Sequence, residues 1–190
     1  MEPSTGGGLD HHDREIGGRT FRTIGTGVRT LSLAPLYSIE LSVEAGHLGA
    51  LVERIPVADD DPLDQRFFSA LVDSPVSKAA VVVFHHDLPL EQARAVVTEG
   101  LRQGLGRRDE GRIAQLLTLL DRDLQRGDRI EWRSIGNRLL TIEFDGIFEF
   151  EDRLLARATW LPYLGPNPVS ASLKGCIARS LFPERCLVLG

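Results

Sequence analysis

RIEWRSIGNRLLTIEFDG, residues 129–146, is two alternating apolar and polar runs that meet at Gly136–Asn137. Alternation with period two puts successive side chains on opposite faces of a strand, and a Gly-Asn pair between two such runs makes a hairpin turn. The stretch therefore predicts Arg129–Ile135 paired antiparallel with Arg138–Asp145.

Upstream, KAAVVVF (Lys78–Phe84) is a continuous apolar run, as a strand buried in a sheet interior requires. It predicts the central strand. Two helical patterns separate these stretches. PLEQARAVVTEGLRQGL opens on Pro89 and repeats Leu90, Ala93, Val97, Leu101 and Leu105, while EGRIAQLLTLLDRDL carries Ile113, Leu116, Leu117, Leu120 and Leu124. Before the central strand, HLGALVERI reads as one or two helical turns. PLDQRFFSALVDS reads as a helix begun at Pro62, with Phe67, Phe68, Leu71 and Val72 on one side. After the hairpin, FEFED leads into one helix, DRLLARATWLPYLG, stopped by Gly165, Pro166 and Pro168; VSASLKGCIARSLF is a last helix capped by Ser170. Runs of strands kept apart from runs of helices predict an α+β domain with an antiparallel sheet.

The chain has 190 residues, 42% of them hydrophobic, with a net charge of −5. That is enough for one domain with its own core and argues against a nucleic-acid-binding surface. No apolar run approaches the length of a membrane span, and MEPSTGGGLDHHDRE lacks the parts of a signal peptide. Residues 1–15 read as a disordered tail and 16–190 as a single domain. Two cysteines, Cys176 and Cys186, make neither a disulfide framework nor a metal motif, so a reduced, cytoplasmic protein is expected. Oligomeric state is not legible.

No dinucleotide, Walker, nucleophile-elbow or zinc-protease motif occurs. Gly25–Thr26–Gly27 reads as a turn. His11 and His12 belong to the tail, and Asp59, Asp60 and Asp61 are explained by solvation before a helix, so no metal site is expected. His85 and His86 end the central strand and face opposite sides. Trp160 and Tyr163 share a helix face, where they serve the core or line a ligand cavity.

In IGTGVRTLSLAPLYSIELSV (Ile24–Val43) two residues stand out, Arg29 and Tyr37. A guanidinium buried there needs an anion. With Ala34–Pro35 as the turn of a tight hairpin, Arg29 and Tyr37 point into the same space across an antiparallel pair. Arg29 is then either a surface arginine or half of a carboxylate clamp.

Four pieces in order, over roughly residues 19–182, resemble the chalcone isomerase-like family: IGTGVRTLSL, KAAVVVFHHDLPLEQARAVVTEGL, RGDRIEWRSIGNRLLTIEFDG and WLPYLGPNPVSASLKGCI. The resemblance implies an open-faced β-sandwich, a large antiparallel sheet with a layer of helices on one face. The family includes plant isomerases, fatty-acid binders, non-catalytic helpers, fungal members reported to bind haem, and bacterial members of unknown role; the resemblance implies a protein of the bacterial type. Arg29 matches the family's arginine, which stabilises an enolate in the isomerases and holds a carboxylate in the binders. Tyr37 matches the binders' tyrosine, where isomerases have threonine, although Arg29 and Tyr37 are closer in sequence than the family's pair. The isomerases' tyrosine and asparagine on the helix after the central strand are missing, which argues against chalcone cyclisation. The resemblance thus implies binding of a small amphipathic, fatty-acid-like carboxylate, with Arg29 and Tyr37 at its head and Trp160 or Tyr163 at the cavity wall. The alternatives are an intramolecular lyase or cyclase acting on a phenolic or polyketide-like substrate through Arg29, and haem binding through His85 or His86. No other cofactor is expected.

Overall fold

In the computed structural model, which describes residues 13–31, 34–54 and 65–182, KAAVVVF becomes the fourth of seven strands. Sheet order follows the chain: β1 (Asp13–Ile16), β2 (Arg19–Leu31), β3 (Ala34–Glu44), β4 (Lys78–Phe84), β5 (Arg129–Ile135), β6 (Leu139–Glu143) and β7 (Ile147–Glu151). Every neighbouring pair is antiparallel. Seven α-helices among the described residues complete the α+β fold: α1 (Leu48–Arg54), α2 (Gln65–Asp73), α3 (Leu90–Leu101), α4 (Glu110–Leu117), α5 (Arg153–Ala158), α6 (Leu161–Leu164) and α7 (Ala171–Leu181). None is long and apolar enough to cross a membrane.

Strand parity sorts the sheet's two faces. Tyr37, Ile39, Leu41 and Val43 of β3 share one face with Ala80, Val82 and Phe84 of β4, and these join the buried cluster with Phe67, Phe68, Leu71 and Val72 of α2. The opposite face is more polar. There Thr23 Oγ1 donates to Glu40 at 3.0 Å, and the sheet curls until Arg14 of β1 lies 3.6 Å from Glu131 of β5.

The predicted hairpin forms, with a three-residue loop (136–138) in place of two, so that β6 starts at Leu139 and ends at Glu143. Gly136 and Asn137 both take positive φ, 58° and 55°. Other expectations are corrected. Gly25–Thr26–Gly27 is not a turn; β2 runs straight through it. Its glycines answer to packing: a Cβ on Gly25 would lie 2.4 Å from Ile177 Cγ1, and one on Gly27 would lie 2.7 Å from Leu173 Cβ. Missing side chains let α7 lie directly on β2. Ala34 and Pro35 belong to β3 and not to the turn. Asp13, Arg14 and Glu15, assigned to a disordered tail, pair with β2. Residues 147–151 form β7, because Phe148 and Phe150 alternate onto the face of Ile142 and Leu140.

Two long helices also turn out shorter. The 110–124 pattern is helical only to Leu117, after which tight turns carry Leu120 and Leu124 inward and Leu124 bridges Leu88. Arg94 of α3 holds the Leu120 carbonyl at 2.9 Å. The 152–164 helix divides into α5 and α6 around Thr159–Trp160. Pro162 has no N–H to continue the ladder, so the chain restarts there.

Candidate functional site

On the helix-covered face, Arg29 of β2 stands directly opposite Tyr37 of β3, and Tyr37 opposite Phe84 of β4. Directly paired residues project to the same side, so the hairpin puts guanidinium and phenol together. Arg29 is the next residue on that face after Gly25 and Gly27. The α7 helix covers those glycines with Ile177, Leu173 and Ser170, and Arg29 comes just beyond its N-cap, Ser170.

Arg29 and Tyr37 line a cavity of about 140 Å³ between the sheet and the helices. Its floor crosses five strands, from Arg29 through Tyr37, Phe84 and Trp132 to Ile142 and Phe144 at the end of β6. Ala93, Val96, Val97 and Leu101 of α3 supply one wall, and Leu116, Leu120 and Leu124 in and after α4 supply another. Pro162 and Tyr163 of α6 close the side near Arg29. Away from Arg29 and the two tyrosines the lining is almost wholly apolar.

The polar end has a consistent electrostatic logic. Arg29 is half-exposed, and no carboxylate among the described residues pairs with it. Glu40, the nearest acid along the hairpin, faces the other side of the sheet and is held by Thr23. Tyr37 is 4% exposed, its ring edge-on to Phe84 at 5.6 Å. Burial pushes the Tyr163 hydroxyl well above the usual phenol range. The adjacent Tyr37 phenol, hydrogen-bonded to it, pushes the same way, and Arg29 opposes them. Tyr163 is therefore a neutral hydroxyl at physiological pH, within reach of both Tyr37 and Arg29. One cation and two phenols converge at the end of an apolar slot.

Of the four expected site residues, Arg29, Tyr37 and Tyr163 meet at the cavity and Trp160 does not. Trp160 is fully buried beside the cavity, on the same face of the sheet, donating Nε1–H to Ser134 Oγ at 3.0 Å and packing on Trp132 with ring centres 6.0 Å apart. The tryptophan on the cavity surface is Trp132, which also packs on Tyr163 at 5.5 Å. Its alternation with Ile130 in β5 was the available signal. His85 is half-buried and His86 exposed just after β4, and neither lines the cavity. The described residues thus offer the cavity no imidazole. No metal-binding group of His, Cys, Asp or Glu occurs among the described residues. Cys176 is buried against Thr26. His11, His12, Asp59, Asp60, Asp61, Pro62 and Cys186 lie outside the described residues.

No protein-family model matches the chain, and no curated protein matches its sequence. Among solved structures it is similar to a fatty-acid binding protein of Arabidopsis thaliana, with a TM-score of 0.74 and 15% sequence identity, over 92% of this chain and 93% of that one. At that identity the likeness is one of fold.

Proposed function

We propose that the protein binds a small amphipathic carboxylic acid of the fatty-acid type, and that it belongs to the chalcone isomerase-like group its motifs resemble. The carrying observation is the cross-strand pair Arg29–Tyr37 at one end of an apolar cavity, with no acidic partner for Arg29 among the described residues. Arg29 holds the carboxylate by a charge-assisted pair of hydrogen bonds, and Tyr37 and Tyr163 add neutral donors. The apolar chain lies along the floor toward β6. The fold shared with a fatty-acid binding protein supports this reading. The lyase or cyclase alternative gains nothing from α3, which presents only apolar side chains and Gly100 to the cavity and so offers no acid, base or water-holding group.

Titration calorimetry with octanoate tests the proposal. Arg29→Ala should weaken binding about ten- to a hundredfold, the equivalent of roughly 1.5–3 kcal/mol for hydrogen bonds to a charged group. Tyr37→Phe should cost about fivefold, one neutral hydrogen bond. Equal affinity of wild type and a folded Arg29→Ala variant would remove the clamp.

A further inference from the structure

The cavity has a definite far end. Four inter-strand steps separate β2 from β6, about 19 Å along the sheet. Lining side chains come from every strand between them and none from β7. The last is Phe144, only 4% exposed and set just past β6, where its backbone N–H closes a tight turn onto the Gly146 carbonyl at 2.9 Å.

The ring is also braced from outside. Arg122 stacks on it with the guanidinium carbon 4.9 Å from the ring centre. Arg122 is in turn fixed by Asp145 at 2.8 Å, next to Phe144 in the chain, and by Asp128 at 2.6 Å, at the entry to β5. A cation held by two carboxylates and set over an aromatic face resists displacement of that ring. One side of Phe144 therefore meets the cavity while the other is held by charge.

We infer that Phe144, positioned by Arg122, is the stop that sets how long an apolar tail the cavity accepts. This rests on the carboxylate reading, with the head group at Arg29. A cavity of about 140 Å³ is the size of one that takes a benzene molecule, so it holds on the order of five or six carbon atoms. The preferred ligand is thus an unbranched acid of about six to eight carbons. Each methylene buried up to that point strengthens binding about fourfold; those beyond it meet the ring and add nothing.

The test is calorimetric titration of the whole chain with saturated acids from butanoate to octadecanoate. Wild type should gain about fourfold per carbon and level off near C6–C8. Phe144→Ala should keep the slope and move the break up by about three or four carbons, the bulk of the lost ring. Phe144→Leu, a gentler change, should move it by about one, which keeps the test available if the alanine variant does not fold. Arg122→Gln leaves the lining intact and should blur the break by freeing the ring. An unmoved break in a folded Phe144 variant, or a wild-type gain that continues through C18, overturns the stop while leaving the carboxylate site standing. Failure of wild type to bind any acid overturns both.

Discussion

Replacing Gly25 with alanine tests the close approach of α7 to β2. A Cβ there would sit 2.4 Å from Ile177 Cγ1 and 3.2 Å from the Ile177 backbone nitrogen. The side-chain contact is far inside van der Waals range, so α7 must lift from β2 or Ile177 must leave its rotamer. Overpacking of this kind costs about 2–3 kcal/mol, less the few tenths gained from a stiffer unfolded chain. Ile177→Ala alone opens a cavity at a fully buried site and should cost about 3 kcal/mol. Together the two changes relieve each other: the new methyl enters the space the isoleucine vacates, leaving only the tight but tolerable backbone contact. The double variant should lose about 3–4 kcal/mol, where independent effects would sum to about 5–6. Urea unfolding followed by circular dichroism, with slopes checked for constancy, measures all four corners of the cycle. Additivity within about 0.5 kcal/mol would mean that Gly25 and Ile177 do not meet.

Two further outcomes concern buried polar groups. Burial pushes the Lys78 ammonium down to about 7, although Ser74 O, Val76 O and Asn137 Oδ1 accept from it at 2.8, 3.1 and 2.9 Å. Between pH 7 and about 10 the unfolded chain keeps a proton the folded protein has lost, so stability should climb with pH, by about 2–3 kcal/mol from pH 7 to 9. Lys78→Met should abolish that rise; parallel curves for the two proteins would mean that the three acceptors keep the ammonium charged. Asp152 caps α5, accepting from Leu154 N and Leu155 N at 2.9 and 3.0 Å, and Arg112 lies against it. Asp152→Ala should lower stability by about 1–2 kcal/mol in a thermal melt, and no change would deny the cap any share in holding α5.

Much of the fold was legible because its signals are local. The period-two runs on either side of Gly136–Asn137 and the apolar run Lys78–Phe84 depend on strand geometry and turn chemistry that a few neighbouring residues dictate, and both are in place in the sheet. The facing of Arg29 and Tyr37 follows from the same alternation across one hairpin. What stayed hidden depends on partners far away in the chain. Gly25 and Gly27 carry turn chemistry, yet α7, some 150 residues on, needs their bare backbone in a continuous strand. Leu120 and Leu124 keep a helical spacing that the cavity's demand for apolar lining overrides. Trp160 and Trp132 are equally apolar, and only the docking of α6 on the sheet decides which one faces the cavity. Lys78, the one charge in its run, is buried because a loop and a hairpin turn bring three acceptors to it. Alternation tells a side chain which face it takes, whereas close packing decides what it meets there.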